Sequence, residues 1–142
     1  MTTAREVFDN FRNHVLGEPH PELWAPDVVI EAPFAAGGPH RYEGRDNFLA
    51  ATKTGRETLP VRFDEMRNVL VHDTTDPNKI IVEYELVGTL LTTGEQKSAL
   101  FIAVMEIRDG LLTLWREYQN TQAIAQALGQ IPTGQTDFTT TA

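Results

Sequence analysis

The spacing of hydrophobic and polar residues follows two different periods along the chain. Near the N-terminus, a Thr3–Glu6 capping box precedes four apolar residues at helical spacing, which are Val7, Phe8, Phe11 and Val15. The prolines at 19 and 21 end this helix, and residues 21–25 are predicted to form a second short helix with proline at its first position. A short strand over 27–33, a loop at 37–39 and a helix over 45–54 follow.

From residue 59 onward the pattern is that of β-strands. Four runs, 61–71, 79–91, 98–108 and 111–119, follow one another, and Asp109-Gly110 between the last two is a strong hairpin signal. A closing helix is predicted to begin after Asn120 as N-cap, to bury Ile124 and Leu128, and to stop at Gly129. Helices followed by an antiparallel meander predict an α+β fold, with the helices packed on one face of the sheet.

The alternation within the strands indicates which face is buried. In the run 79–91 the even positions are apolar, and Glu83 and Glu85 at odd positions are expected to face solvent. The run 98–108 is apolar on both faces. A sheet that is apolar on both faces near its centre predicts a second buried contact, and we expect a homodimer partner there.

Composition narrows the class of protein. The chain has 142 residues, which fits one domain over 1–129, followed by a Thr- and Gly-rich tail over 130–142 that we expect to be flexible and dispensable for folding. A net charge of −8 argues against nucleic-acid or anionic-membrane partners. Cysteine is absent and serine occurs once, at Ser98, which argues against covalent catalysis by either residue. With no apolar signal segment, we expect a soluble, cytoplasmic protein.

Three segments resemble a known family: Trp24-Ala-Pro-Asp-Val-Val-Ile-Glu-Ala-Pro33, Tyr42-Glu-Gly-Arg-Asp-Asn-Phe48 and Leu114-Trp-Arg-Glu-Tyr-Gln-Asn120. Their order resembles the SnoaL-like group of the cystatin-like α+β roll, the superfamily of nuclear transport factor 2, ketosteroid isomerase and limonene epoxide hydrolase. The resemblance covers roughly residues 4 to 129. It implies a cone-shaped roll in which a curved, mixed but mostly antiparallel sheet encloses a deep apolar pocket, usually in a homodimer.

The catalytic groups of ketosteroid isomerase, an aspartate base with a tyrosine and a protonated aspartate, are a standard case of pKa tuning. By the resemblance, the base falls on Ala32, the protonated aspartate on Ala103, and the tyrosine on or near Phe8 or Phe11. None of these residues carries the required group. Steroid-type isomerisation by that set of residues is therefore excluded.

Limonene epoxide hydrolase matches little better. Its water-holding tyrosine and asparagine fall on Ile30 and Ala32, and its Arg-x-Asp pair falls near 83–86, where no arginine stands. Its remaining aspartate corresponds to Glu117. One carboxylate cannot both orient a water and protonate an epoxide oxygen, so epoxide hydrolysis is the weaker alternative.

Glu117 and Tyr84 are the candidate catalytic residues. The resemblance places Glu117 in the cone beside Trp115, where an apolar environment disfavours the charged carboxylate and suits it to general acid–base work near neutrality. The alternatives are a structural glutamate paired with Arg116 and a core tyrosine. An aromatic and apolar wall is expected to bind substrate, and it consists of Trp24, Phe34, Tyr42, Phe48, Phe101, Ala103, Met105 and Trp115.

No cofactor or metal is expected, because no two histidines are three or four residues apart and no nucleotide-binding motif occurs. The leading hypothesis is a cofactor-independent enzyme of cyclase, isomerase or dehydratase type that acts by proton transfer on an apolar, polyketide-like or polycyclic intermediate. The alternative is a non-catalytic small-molecule-binding or interaction module of the same fold.

Overall fold

Three helices and six strands make up the part of the chain that the computed structural model describes, residues 2–18 and 22–129. In chain order they are α1 (Ala4–Val15), β1 (Trp24–Ala32), β2 (His40–Glu43), α2 (Arg45–Thr58), β3 (Val61–Asp73), β4 (Lys79–Leu90), β5 (Gln96–Arg108), β6 (Leu111–Gln119) and α3 (Thr121–Ala127). The tail predicted to be flexible, 130–142, lies outside the described residues.

The strands form one curved, mixed sheet in the order β2-β1-β6-β5-β4-β3, which confirms the α+β prediction. The pairing of β1 with β6 is parallel and the other four pairings are antiparallel. Irregular register interrupts β3 at two places, and Asn68 adopts a φ of +54° at one of them. Such bulges bend a strand and increase its twist, which lets the sheet curve around a helix.

Helix α1 supplies the apolar surface against which the sheet curves. Thr3 caps it by accepting a hydrogen bond from the Glu6 N–H at 3.2 Å, as the capping box predicts. Val7, Phe8 and Phe11 are almost fully buried against residues of the inner sheet face. The even positions of β4 from Ile80 to Tyr84 lie on that same face, so the alternation correctly predicted the buried side.

One local prediction is wrong, and one element was not predicted. Residues 21–25 were expected to begin a short helix, but Trp24 and Ala25 already belong to β1, where Trp24 pairs with Leu112 of β6. The edge strand β2 was not predicted, because His40–Glu43 is only four residues long and follows a glycine-rich loop. In both cases hydrogen bonding to a distant strand overrides the local preference.

The tight turn and the closing helix follow the sequence signals. Asp109 and Gly110 have φ values of +53° and +77°, as a two-residue hairpin turn requires. Asn120 caps α3 by accepting from the Ala123 N–H at 3.1 Å. Ile124 and Leu128 are, however, only half-buried, whereas the sequence predicted a buried face. They pack around a cavity rather than into the closed core.

Glu83 and Glu85 point to the outer face of the sheet, as their odd positions predict, but neither is free. His72 lies 2.6 Å from Glu83, and Glu85 accepts hydrogen bonds from Arg67, Asn68 and Ser98. These donors, Arg67 first, lower the pKa of Glu85 to about 2. The outer face therefore carries paired charges between its exposed apolar side chains.

Candidate active site

A cavity of about 360 Å³ lies between α1, the inner face of strands β3 to β6, and α3. Among the described residues, its wall is mostly apolar and includes five polar residues, Tyr84, Lys97, Ser98, Glu117 and Gln119. The other residues that line it are Phe11, Val15, Leu59, Val61, Phe63, Leu86, Gly88, Leu90, Ala99, Phe101, Trp115, Ile124, Ala127 and Leu128. An apolar pocket with a few convergent polar groups is the usual form of a small-molecule site.

Three of the polar residues form a hydrogen-bonded group, here called the polar cluster: Tyr84, Glu117 and Gln119. The Tyr84 hydroxyl donates to Oε2 of Glu117 at 2.5 Å, and Nε2 of Gln119 donates to Oε1 of Glu117 at 3.1 Å. Among the described residues, each carboxylate oxygen thus has one donor. Glu117 and Gln119 share a strand face because they lie two residues apart in β6.

The surroundings alter the acidity of the two titratable members of the cluster. Burial raises the pKa of the Glu117 carboxyl above its ordinary value, and the hydrogen bonds from Tyr84 and Gln119 offset part of that rise. Burial, together with the neighbouring Glu117, raises the pKa of the Tyr84 phenol well above its usual value. Tyr84 is therefore a neutral donor at physiological pH, and Glu117 can exchange a proton closer to neutrality than an exposed glutamate.

Trp115 connects the cavity to the aromatic core. Its ring stacks on Trp24 with centroids 5.5 Å apart and meets Phe11 edge-on at 5.1 Å. Within the described part of the chain, its buried Nε1 has no hydrogen-bond partner. Trp115 therefore lines the cavity with a ring that Trp24 and Phe11 hold in place.

The structure brings together four of the residues proposed from the sequence and leaves six outside the cavity. Tyr84, Glu117, Phe101 and Trp115 line it. Trp24 and Phe48 lie behind Trp115 in the aromatic core, with half-buried Tyr42 against Phe48, and Ala103 and Met105 are fully buried in the core. Phe34 is 60% exposed and packs against Tyr118 instead. The expectation that these six residues line the cavity is therefore corrected. Phe34 lies beyond the end of β1, and the other five lie in the apolar core or against it.

Several lining residues were not predicted from the sequence, and Gln119 is chemically the most important of them. Strand alternation alone could have found it, since Gln119 shares a face with Trp115 and Glu117. Phe11 is a core residue as predicted and also lines the cavity, together with Leu86 and Leu90, which were predicted to face inward. The core and the cavity are lined by the same kind of residue, so composition does not separate them.

Among residues 2–18 and 22–129, no group of three or more His, Asp or Glu side chains is arranged to hold a metal ion. Within the same ranges, no helix is long and apolar enough to cross a membrane.

Comparison with known proteins decides the family. The SnoaL-like domain family matches residues 4–115, nearly the whole of the described fold. The chain belongs to the SnoaL-like family. The resemblance proposed from the three sequence segments is thereby confirmed.

The relatives of this SnoaL-like domain include an uncharacterized PhzA/B-like protein of Pseudomonas aeruginosa, which is 32% identical over 111 residues covering 78% of this chain and 77% of the relative. A solved structure named as a putative isomerase, from Bacillus subtilis, is 27% identical with a TM-score of 0.77, covering 90% of this chain and 94% of its own. A structure named as a putative polyketide cyclase, from Pseudomonas putida, is 18% identical with a TM-score of 0.71, covering 89% of this chain and 98% of its own. The last shows a shared fold alone.

Proposed function

We propose that this SnoaL-like domain is a cofactor-independent enzyme that moves a proton on an apolar carbonyl compound of polycyclic or polyketide type. The observation that carries the proposal is the Glu117 carboxyl, hydrogen-bonded to Tyr84 in the wall of an apolar cavity of about 360 Å³. A carboxyl group with a raised pKa, close to an apolar ligand, is suited to general acid–base catalysis.

In the proposed reaction, ionised Glu117 removes the proton next to the carbonyl group of the bound ketone. The electrons of the broken C–H bond form the enolate, whose oxygen takes the negative charge, and Glu117 becomes protonated. In a β,γ-unsaturated ketone the enolate is conjugated with the double bond, and return of the proton to the γ-carbon gives isomerisation. Attack of the enolate carbon on a second carbonyl of the same molecule gives cyclisation, with the proton passing to the new alkoxide.

Tyr84 keeps the carboxylate of Glu117 hydrogen-bonded before the proton arrives. Its own pKa is raised, so it remains a donor throughout the reaction. The aromatic wall of Phe11, Phe101 and Trp115 supplies contact area for the rings of the substrate. The structural relative named as a putative isomerase agrees with this class of reaction.

A non-catalytic binding module is the second candidate, and one observation favours it. The positions that resemble the catalytic groups of ketosteroid isomerase carry apolar side chains here, and Phe8 and Ala103 are closed in the core with at most 2% exposure. Epoxide hydrolysis is weaker still. Among the described lining residues Glu117 is the one carboxylate, and hydrolysis of an epoxide needs both a base for water and an acid for oxygen.

Deuterium exchange separates the two candidates without knowledge of the natural substrate. In heavy water, an enzyme of this kind should accelerate loss of the acidic C–H signals of β-tetralone, or of other apolar bicyclic ketones, in NMR spectra. Glu117→Gln should slow this exchange on the order of 10²–10⁴-fold, the usual contribution of a positioned general base.

Glu106→Gln is the matched control, because Glu106 lies on β5 in an exposed pair with Lys79, and it should exchange like the wild type. If the ketones quench tryptophan fluorescence on binding, yet exchange no faster than in buffer, the binding module is the correct function. Equal exchange by the wild type and Glu117→Gln would assign the base to another residue.

A further inference from the structure

Gln119 holds a position in the cavity that the proposed reaction has not used so far. Its amide Nε2 donates to Oε1 of Glu117 at 3.1 Å, while Tyr84 donates to Oε2 at 2.5 Å. The two donors come from different strands and take different oxygens. The carboxylate is therefore fixed in rotation about its terminal bond as well as in position.

The backbone around Gln119 is held on both sides. Gln119 is the last residue of β6 and pairs with Phe101 of β5. The next residue, Asn120, donates its N–H to the Leu100 carbonyl at 3.3 Å and caps α3 with its side chain. A side chain that starts from such a fixed point is well placed to orient a neighbour.

We propose that Gln119 is a positioning residue that holds the Glu117 carboxylate in one orientation toward the cavity and stabilises its ionised form. The proposal deepens the proposed function, since it assumes that Glu117 is the acid–base group. Gln119 itself need not touch the reacting atoms. Its role is to supply the second donor that an enclosed carboxylate requires.

The charge balance of the cavity explains why a neutral donor matters. Enclosure disfavours the ionised carboxylate, and hydrogen bonds to that form favour it. Two basic side chains have partners other than Glu117. Lys97 of the cavity wall pairs with Glu95 at 3.2 Å, and Arg12 of α1 donates to the Met66 carbonyl at 2.6 Å. The described lining residues of α1, β3 and α3 carry no titratable side chain, and β4 contributes only Tyr84, a neutral phenol. Among the described residues, Gln119 and Tyr84 thus provide the side-chain hydrogen bonds to Glu117.

The test is a direct titration of Glu117, observed by NMR of protein labelled with ¹³C at glutamate side-chain carboxyls and assigned with Glu117→Gln. Gln119→Met keeps the length of the side chain and removes the donor. In this variant we expect Glu117 to titrate at higher pH, because hydrogen bonds to charged groups are stronger than those between neutral groups. At a pH below the midpoint, the ionised fraction of Glu117 should be about tenfold lower than in the wild type. In Gln119→Glu, a second carboxyl beside the first should raise the upper midpoint of the pair further.

Gln96→Met is the control, because the Gln96 amide donates to Asp64 on the outer face of the sheet at 3.4 Å. It should leave the Glu117 titration unchanged. If Gln119→Met is folded with an unchanged melting temperature and Glu117 titrates as in the wild type, Gln119 is structural and the proposal is wrong. This readout needs no substrate, so its failure is distinct from a failure of Glu117→Gln to slow ketone exchange.

Discussion

The hydrogen bond between Tyr84 and Glu117 crosses a strand that carries neither residue. Tyr84 lies on β4 and Glu117 on β6, and β5 runs between the two strands. In the register of β5, Ala103 stands opposite Glu117, and Phe101 stands opposite Tyr84. Two long side chains therefore span about 10 Å of sheet to form their 2.5 Å hydrogen bond, and the residue of β5 next to Glu117 is the small Ala103.

The role of Ala103 in this arrangement can be tested by enlarging it. Ala103 is fully buried, so Ala103→Leu should force the hydrogen-bonded pair apart and cost about 1–3 kcal/mol of stability by overpacking. Ketone exchange should fall along with it. Urea denaturation and the exchange assay measure the two effects. Retention of wild-type exchange by a destabilised Ala103→Leu would show that the Tyr84–Glu117 contact is not required.

Glu117 should make stability fall as pH rises. Its carboxyl has a raised pKa in the folded protein, so the folded state binds more protons than the unfolded chain between the ordinary pKa and the raised one. The free energy of unfolding decreases across that interval, by about 1.4 kcal/mol for each unit of the rise.

Glu117→Gln removes this linkage. Its melting temperature relative to wild type should increase with pH through the interval and level off above it, as measured by scanning calorimetry from pH 4 to 9. Glu106→Gln controls for the substitution itself. A difference in melting temperature that is the same at every pH would contradict the raised pKa.

Trp115 should contribute through its rings and not through its N–H. Trp115→Ala removes contacts with Trp24 and Phe11 and should cost about 3–5 kcal/mol. Trp115→Phe discards a buried donor that has no partner among the described residues, and should cost only about 1–2 kcal/mol. Urea denaturation checks both. A loss in Trp115→Phe as large as in Trp115→Ala would indicate that the indole N–H makes an essential bond.

Gly88 is required by close packing along the cavity wall. A Cβ at this position would lie 2.7 Å from Cγ1 of Val61 and 3.3 Å from the Arg62 carbonyl oxygen. Gly88→Ala should therefore destabilise the protein by about 1–3 kcal/mol and weaken binding of apolar ketones.

Gly55→Ala is the matched control for Gly88→Ala. Gly55 lies in α2, and a Cβ there would meet nothing within 4 Å. In a helix this change should stabilise by about 0.5–1 kcal/mol. Thermal melting of both variants gives the comparison, and equal effects would rule out the steric explanation.

We propose that the outer face of the sheet pairs with a second copy of the chain. Leu70, Leu100 and Ile102 are exposed on this face by 56%, 59% and 44%. Light scattering at micromolar concentration should give the mass of two protomers, and Ile102→Lys with Leu100→Lys should give that of one. Leu91→Lys, in the turn after β4, is the control and should stay dimeric. A monomeric wild type would exclude this assembly.

The fold could be predicted from the sequence because its signals are local or periodic. Alternation in β4 identified the buried face, Asp109-Gly110 identified the hairpin, and Asn120 identified the start of α3. These features depend on a residue and its near neighbours, so they are readable without the fold. The short edge strand β2 and the start of β1 at Trp24 depend on partners far along the chain, and they were not found.

The candidate site could likewise be predicted only in part from local patterns. The sequence by itself determined that Glu117 and Trp115 share a strand face and that Tyr84 faces inward, because strand alternation has a fixed period of two. Only the tertiary structure decided that Tyr84 bonds to Glu117 across β5, that Gln119 takes the other oxygen, and that Phe34 lies outside the cavity. The curvature of the sheet and the placement of α3 determine which apolar residues enclose space and which fill it. Core and cavity wall are built from the same apolar side chains, so that distinction exists only once the strands are assembled.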